Sequence, residues 1–152
     1  MNNVDMLREI EALKRLKARY CRLLDAKDWS AWRALFTDDF ISDTRPSGGK
    51  YIEGADDFVA FVRRALGAQR RVTVHQVHAP ELDLLTESTA RGIWALHDIV
   101  RLLPGLTMDG HGHYHETYEK HDGQWRFKSS TLKRLRADLR TPILSIRLPL
   151  RR

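Results

Sequence analysis

The side chains best suited to moving protons sit in a few short stretches of this chain. In Val72-Thr73-Val74-His75-Gln76-Val77-His78, strand alternation puts Thr73, His75 and Val77 on one face. Val74, Gln76 and His78 take the other, so one of His75 and His78 faces inward. Imidazole titrates nearest neutrality, which makes that histidine a candidate general base. The alternative is a histidine that simply satisfies its hydrogen bonds. Asp98 shares a face with Gly92, Trp94 and Leu96, and an acid beside Trp and Leu requires a partner. A neighbouring His75 would supply one and be oriented by it. Pairing with a surface arginine such as Arg101 is the alternative.

Tyr20 lies among Met6, Ile10, Leu13, Leu16, Leu23 and Leu24, the apolar face of a helix over residues 4–27. Lys14, Arg15, Lys17, Ala18, Arg19 and Arg22 fill much of the other side. A buried tyrosine needs a partner for its hydroxyl, either a carbonyl in the core or a group in a pocket. Asp25 follows five residues later, about 140° further round an ideal helix. It converges with Tyr20 only if the helix ends or tightens near Leu24; otherwise it is a solvated terminal acid or part of a turn with Asp28. In His111-Gly112-His113-Tyr114-His115-Glu116, three histidines share a face by alternation. Such a strand opens a cupin metal site, but the distant histidine, spaced acid and glycine-rich turns are missing. No metal site is assigned, and His113 or His115 is read as a pocket wall.

The elements that must position these groups change type at Gly67. Before it come the long helix, a short one capped by Asp28 or Ser30 with Trp29, Trp32, Leu35 and Phe36 as its apolar face, and a third over residues 56–66. Short strands are expected at 39–43 and 51–54, around the loop Thr44–Lys50. After Gly67, four segments rich in Val, Ile, Thr, Tyr and Trp span 71–85, 89–103, 106–120 and 124–139. Hairpin-grade turns separate them. Helices followed by an antiparallel meander specify an α+β fold, with three helices covering a curved sheet. One domain is expected over residues 1–140 and a basic amphipathic arm over 141–152.

This order, with KARYCRLLDAKDWSAWRALFTDDF at the front and HYHETYEKHDGQWRFKSS near the end, resembles the SnoaL-like family of the nuclear-transport-factor-like cone fold. The resemblance covers about residues 5–138. Within the group it is most similar to the bile-acid 7α-dehydratases, and more distantly to scytalone dehydratases and ketosteroid isomerases. It implies an apolar pocket between helices and sheet, no cofactor, and a homo-oligomer, a trimer before a dimer. It implies Tyr20, Asp25, His75 and Asp98 as the catalytic set. Asp43 falls where the isomerases carry a general base, although a loop acid before proline is also a common turn residue. The dehydratase pattern places an arginine near the end of the last long strand, either Arg134 or Arg136. Trp94, His113, His115, Asp43 and Arg134 complete the expected substrate-binding set.

The 152 residues carry +6, unevenly distributed. Residues 126–152 hold nine Lys/Arg against Asp138, a net +8, which leaves −2 for residues 1–125. A basic end with Phe127 as its one aromatic, set in a strand, does not favour nucleic-acid binding. One cysteine, Cys21, excludes an internal disulfide. No apolar run approaches a membrane span, and a cytoplasmic protein is expected. The expected function is a cofactor-independent lyase, foremost a dehydratase acting on a hydroxylated polycyclic or aromatic substrate. The alternatives are an isomerase, a cyclase or carbon–carbon lyase in the same pocket, and a non-catalytic small-ligand binder. The alternation of Leu144, Ile146, Leu148 and Leu150 with polar residues suggests that the arm packs over a neighbouring subunit or the pocket mouth. Deletion of residues 141–152 is expected to change assembly, measured by light scattering, or ligand affinity.

Overall fold

A computed structural model describes residues 2–148. Helix α1 (Asn3–Ala26) begins where the Asn2 side chain accepts the Asp5 N–H at 2.9 Å. It ends where Lys27 turns left-handed (φ 60°) and gives its N–H to the Leu23 and Leu24 carbonyls. Asp28 then caps α2 (Trp29–Arg33) through the Ala31 N–H. Leu35 and Phe36, expected on that helix, lie beyond it: Phe36 opens strand β1 (Phe36–Asp43). A 3₁₀ turn (Arg45–Ser47) and β2 (Tyr51–Glu53) lead to α3 (Ala55–Leu66).

Strands β3 (Thr73–Leu84), β4 (Thr89–Leu103), β5 (Leu106–His121) and β6 (Gln124–Arg140) form the expected meander. The β5–β6 turn uses Asp122 and Gly123, both at positive φ (51° and 75°), the backbone of a two-residue hairpin loop. The sheet order is β2-β1-β6-β5-β4-β3, with β7 (Ser145–Arg147) pairing β6. All neighbours are antiparallel except β1 and β6, which run parallel and make the sheet mixed. The fold is α+β, three helices on a curved sheet. The expected arm over 141–152 is described as far as Leu148; residues 149–152 lie outside the described residues.

The core fills the space between helices and sheet. Leu13, Trp32, Phe36, Phe40 and Phe127 are completely buried, and Tyr118 nearly so. Phe36 sits at the centre, with ring centroids 4.6 Å from Phe40 and 5.0 Å from Trp32. These spacings suit tilted and edge-on aromatic packing.

Lys17 corrects the reading of α1. Assigned to the polar side, it is wholly buried. Its position explains why: four residues after Leu13 and three before Tyr20, it falls on their stripe. Its Nζ donates to Glu116 Oε1 at 2.5 Å, and neither side chain has any exposed surface. Glu116 also accepts from Tyr118 Oη at 2.6 Å and Ser130 Oγ at 3.3 Å. Tyr118 Oη in turn accepts the Trp94 indole N–H at 2.8 Å.

A buried pair of this kind is costly to break from one side, because the remaining charge stays uncompensated. Lys17→Met is therefore expected to destabilise the fold by about 3–5 kcal/mol in chemical denaturation. Lys17→Met/Glu116→Gln, which removes both charges, should recover a large share of that loss.

Candidate functional site

A cavity of about 300 Å³ opens between the helices and the inner sheet face. Leu24, Phe58, Phe61, Val62, Met108 and Leu132 make much of its wall apolar. Its polar lining comes from distant parts of the chain and includes Tyr20, His75, Asp98, Tyr114, Ser130 and Arg134. Three larger clefts, of about 480, 630 and 900 Å³, gather none of these six.

His75 is on the inner face of β3 and its side chain is 6% exposed; His78, one step out of phase, faces outward. Asp25 anchors it twice, accepting from Nδ1 at 2.7 Å and from the His75 backbone N–H at 2.8 Å. Thr73 Oγ1 donates to the same carboxylate at 2.8 Å. With Nδ1–H given to Asp25, Nε2 is the basic nitrogen, and it has no hydrogen-bond partner among the described residues. The rotation that separates Asp25 from Tyr20 is what makes this work. Tyr20 points into the cavity, while Asp25 points to the strand edge and reaches the site through His75. Helix α1 need not tighten.

Asp98 does not pair with His75, and this is a correction. The two residues are directly opposed in the β3–β4 register. The Asp98 carboxylate is instead held by both terminal nitrogens of Arg134, Nη2 at 2.7 Å and Nη1 at its partner oxygen. Burial works against the Arg134 charge, but the hydrogen bonds and charge of Asp98 outweigh it and hold the guanidinium above its usual pKa. Gly110, across from Asp98 on β5, makes room for the pair: a Cβ there would lie 2.5 Å from Asp98 Oδ1 and closer still to the guanidinium. The Arg134 backbone N–H donates to Ser47 Oγ at 2.9 Å, which ties the strand to the 3₁₀ turn. Arg136 faces away and binds Asp138.

Tyr20 and Tyr114 stand side by side, with ring centroids 6.2 Å apart. The Lys17 ammonium lies over both rings, 4.4 Å from the first centroid and 3.8 Å from the second. Burial foremost, then the neighbouring phenol for Tyr20 and Asp98 for Tyr114, push both hydroxyl pKa values well above the ordinary tyrosine range. Both are therefore protonated donors. Trp32 also lines the cavity wall, and its indole N–H is buried with no acceptor among the described residues.

Four expected wall residues lie elsewhere. Asp43 turns outward and is held by Arg45 at 2.8 and 2.9 Å, while its neighbours Ser42 and Thr44 line the cavity. Trp94 is on the inner face but four residues from Asp98, about 13 Å along the strand, and packs with Leu96 and Tyr114 beyond the cavity. His113 and His115 are on the outer face, because the inner positions of β5 are Gly112, Tyr114 and Glu116. Burial, then Lys133 and His113, lower the His115 pKa. Tyr114, Ser130 and Lys17 were missed. The alternation that removes His113 and His115 from the pocket is the same signal that puts Tyr114 into it.

Residues 5–131 match the SnoaL-like domain. The chain belongs to the SnoaL-like family. The probable cyclase FGR4 of Gibberella zeae is 25% identical over 135 residues, spanning 81% of this chain and 89% of that protein. A provisionally assigned scytalone dehydratase from Novosphingobium aromaticivorans superposes with a TM-score of 0.77 at 24% identity, covering 95% of this chain and 91% of its own. The type 3 hexachlorocyclohexane dehydrochlorinase LinA of Novosphingobium barchaimii gives a TM-score of 0.77 at 16% identity, covering 97% and 94%. These structural likenesses establish the SnoaL-like cone fold. No helix among the described residues is long and apolar enough to cross a membrane.

Tyr20, Tyr114 and Tyr118 all carry raised pKa values, and burial is the first cause in each. In the unfolded chain they lose their protons near about pH 10. Above that pH the unfolded state binds fewer protons than the folded state, so stability falls as pH rises. In an alkaline ultraviolet titration the exposed Tyr51 should ionise in the folded protein, and the three buried tyrosines only as it unfolds.

Proposed function

We propose that this SnoaL-like protein is a cofactor-independent lyase, foremost a dehydratase, for an apolar hydroxylated polycyclic or aromatic compound. The observation that carries the reading is the Asp25–His75 pair in the wall of an apolar cavity that also holds two protonated phenols. His75 Nε2 takes a proton from a carbon made acidic by an adjacent carbonyl or phenol. Asp25 keeps the imidazole in the right tautomer and stabilises the imidazolium that forms. The Tyr20 and Tyr114 hydroxyls donate to the oxygen on which negative charge develops. Collapse of that charge expels the hydroxyl, which leaves as water by taking back the proton that the His75 imidazolium carries, so that the imidazole and both phenols end as they began. Arg134, fixed by Asp98, presents the cavity's charged donor to a polar substituent of the substrate.

The relatives support this class of chemistry. One similar structure is provisionally assigned as a scytalone dehydratase and another is a hexachlorocyclohexane dehydrochlorinase, and loss of water and loss of hydrogen chloride are both eliminations. The cyclase relative favours ring closure as the second reading, from the same proton abstraction. A homo-oligomer, a trimer before a dimer, and a cytoplasmic location belong to the proposal.

The test is turnover of a panel of hydroxylated steroids and phenolic polyketides, followed by mass spectrometry. Dehydration shows as loss of one water, whereas isomerisation or addition-type ring closure leaves the mass unchanged. His75→Ala is expected to lower kcat by about 10²–10⁴-fold with the circular dichroism spectrum intact. Asp25→Asn should lower kcat as well. Full activity in His75→Ala would end this mechanism, and ligand binding without turnover in the wild type would favour a carrier.

A further inference from the structure

The outer sheet face carries a cluster that the cavity does not use. His97 on β4 and His111 on β5 are cross-strand partners. Asp109 lies two residues before His111 and so projects from the same face. The two imidazoles stack, with centroids 4.4 Å apart and planes 7° from parallel. Both turn a ring nitrogen toward one carboxylate oxygen. His97 Nε2 lies 2.9 Å from Asp109 Oδ1, and His111 Nδ1 lies 3.9 Å from the same atom. One donor atom from each residue falls within 4.8 Å of the other two.

The surroundings select what such a group can bind. Arg140 Nη2 holds the second Asp109 oxygen at 2.8 Å, which fixes the carboxylate and leaves Oδ1 to the histidines. The guanidinium opposes a cation by charge. A hard ion such as magnesium, which prefers an all-oxygen shell, gains little here. A borderline ion gains two imidazole nitrogens and one oxygen. Tetrahedral zinc, with bonds of about 2.0–2.1 Å to nitrogen, brings its ligand atoms about 3.3 Å apart. The His97–Asp109 separation is already close to this. His111, the most exposed of the three at 46%, has solvent beside it into which its ring can turn to close the third distance.

We propose that His97, Asp109 and His111 form a three-ligand site for a borderline divalent cation, typified by zinc, with its fourth position open to water. The bound ion clasps β4 to β5 on the face opposite the cavity.

The test uses the full chain stripped with a chelator and titrated with zinc chloride by calorimetry. One saturable site is expected, accompanied by a rise in melting temperature, and magnesium should give neither. His97→Ala and His111→Ala are each expected to weaken zinc binding by more than about tenfold, since even the loss of a supporting residue around a metal costs that much. His121→Ala, at the exposed end of β5, should leave affinity unchanged. In the wild type, zinc should shift the imidazole nitrogen resonances of His97 and His111 in a long-range nitrogen–proton spectrum. That measurement stands even if a variant folds poorly. The proposal falls if the wild type shows no saturable binding, if both alanine variants bind as the wild type does, or if other histidine resonances move instead.

Discussion

A single buried ion pair sets the geometry of this molecule. Lys17 and Glu116 are fully enclosed, one on the first helix and one on the fifth strand. Neither charge tolerates that environment alone, so the helix can seat on the sheet only where the two meet. The consequence reaches beyond stability. The same ammonium lies over the faces of Tyr20 and Tyr114, and the same carboxylate holds Tyr118 and Ser130. Seating the helix therefore sets the phenols at the cavity wall, and it delivers Asp25, two turns further along, to the edge of β3.

The site divides its acids by partner. Asp25 engages an imidazole and leaves one nitrogen free, a pairing suited to proton transfer. Asp98 engages a guanidinium through two bonds, a pairing that fixes geometry and charge. The two acids approach from opposite sides, one from a helix end and one from a central strand. What separates their roles is which basic side chain each can reach.

Much of this was legible in the chain. The three helices followed by a four-stranded meander are written in hydrophobic period and turn chemistry, and the boundaries fall within a few residues of expectation. That His75 and His78 take opposite faces, and that Trp94 and Asp98 share one, follow from alternation, while the choice of His75 as the inward residue rests on the family resemblance. Alternation does not say which face is inner, and in β5 the histidines drew attention from Tyr114 between them. Nor does it say how far along a strand the cavity extends, which is why Trp94 was placed too near. Lys17 was sorted by charge when its angle on the helix already put it among Leu13 and Tyr20. The pairing of Asp98 with Arg134 joins β4 to β6, and no local pattern encodes it.

The parallel pairing of β1 with β6 fixes the order in which the chain can become protein. Phe36 and Phe40 lie near the front of the sequence, yet the strand that closes over them begins at Gln124, and the Thr37 hydroxyl bonds the Phe127 carbonyl 90 positions later. Pairing across such a separation carries a loop-closure cost that local hairpins do not. During synthesis the helices and β1 emerge first, with their aromatic rings and the Lys17 charge exposed and unmatched. The meander follows, hairpin by hairpin, and only its last long strand supplies the missing wall. This aromatic centre is therefore assembled late, and until β6 has emerged the nascent chain presents an open apolar surface of the kind that chaperones bind.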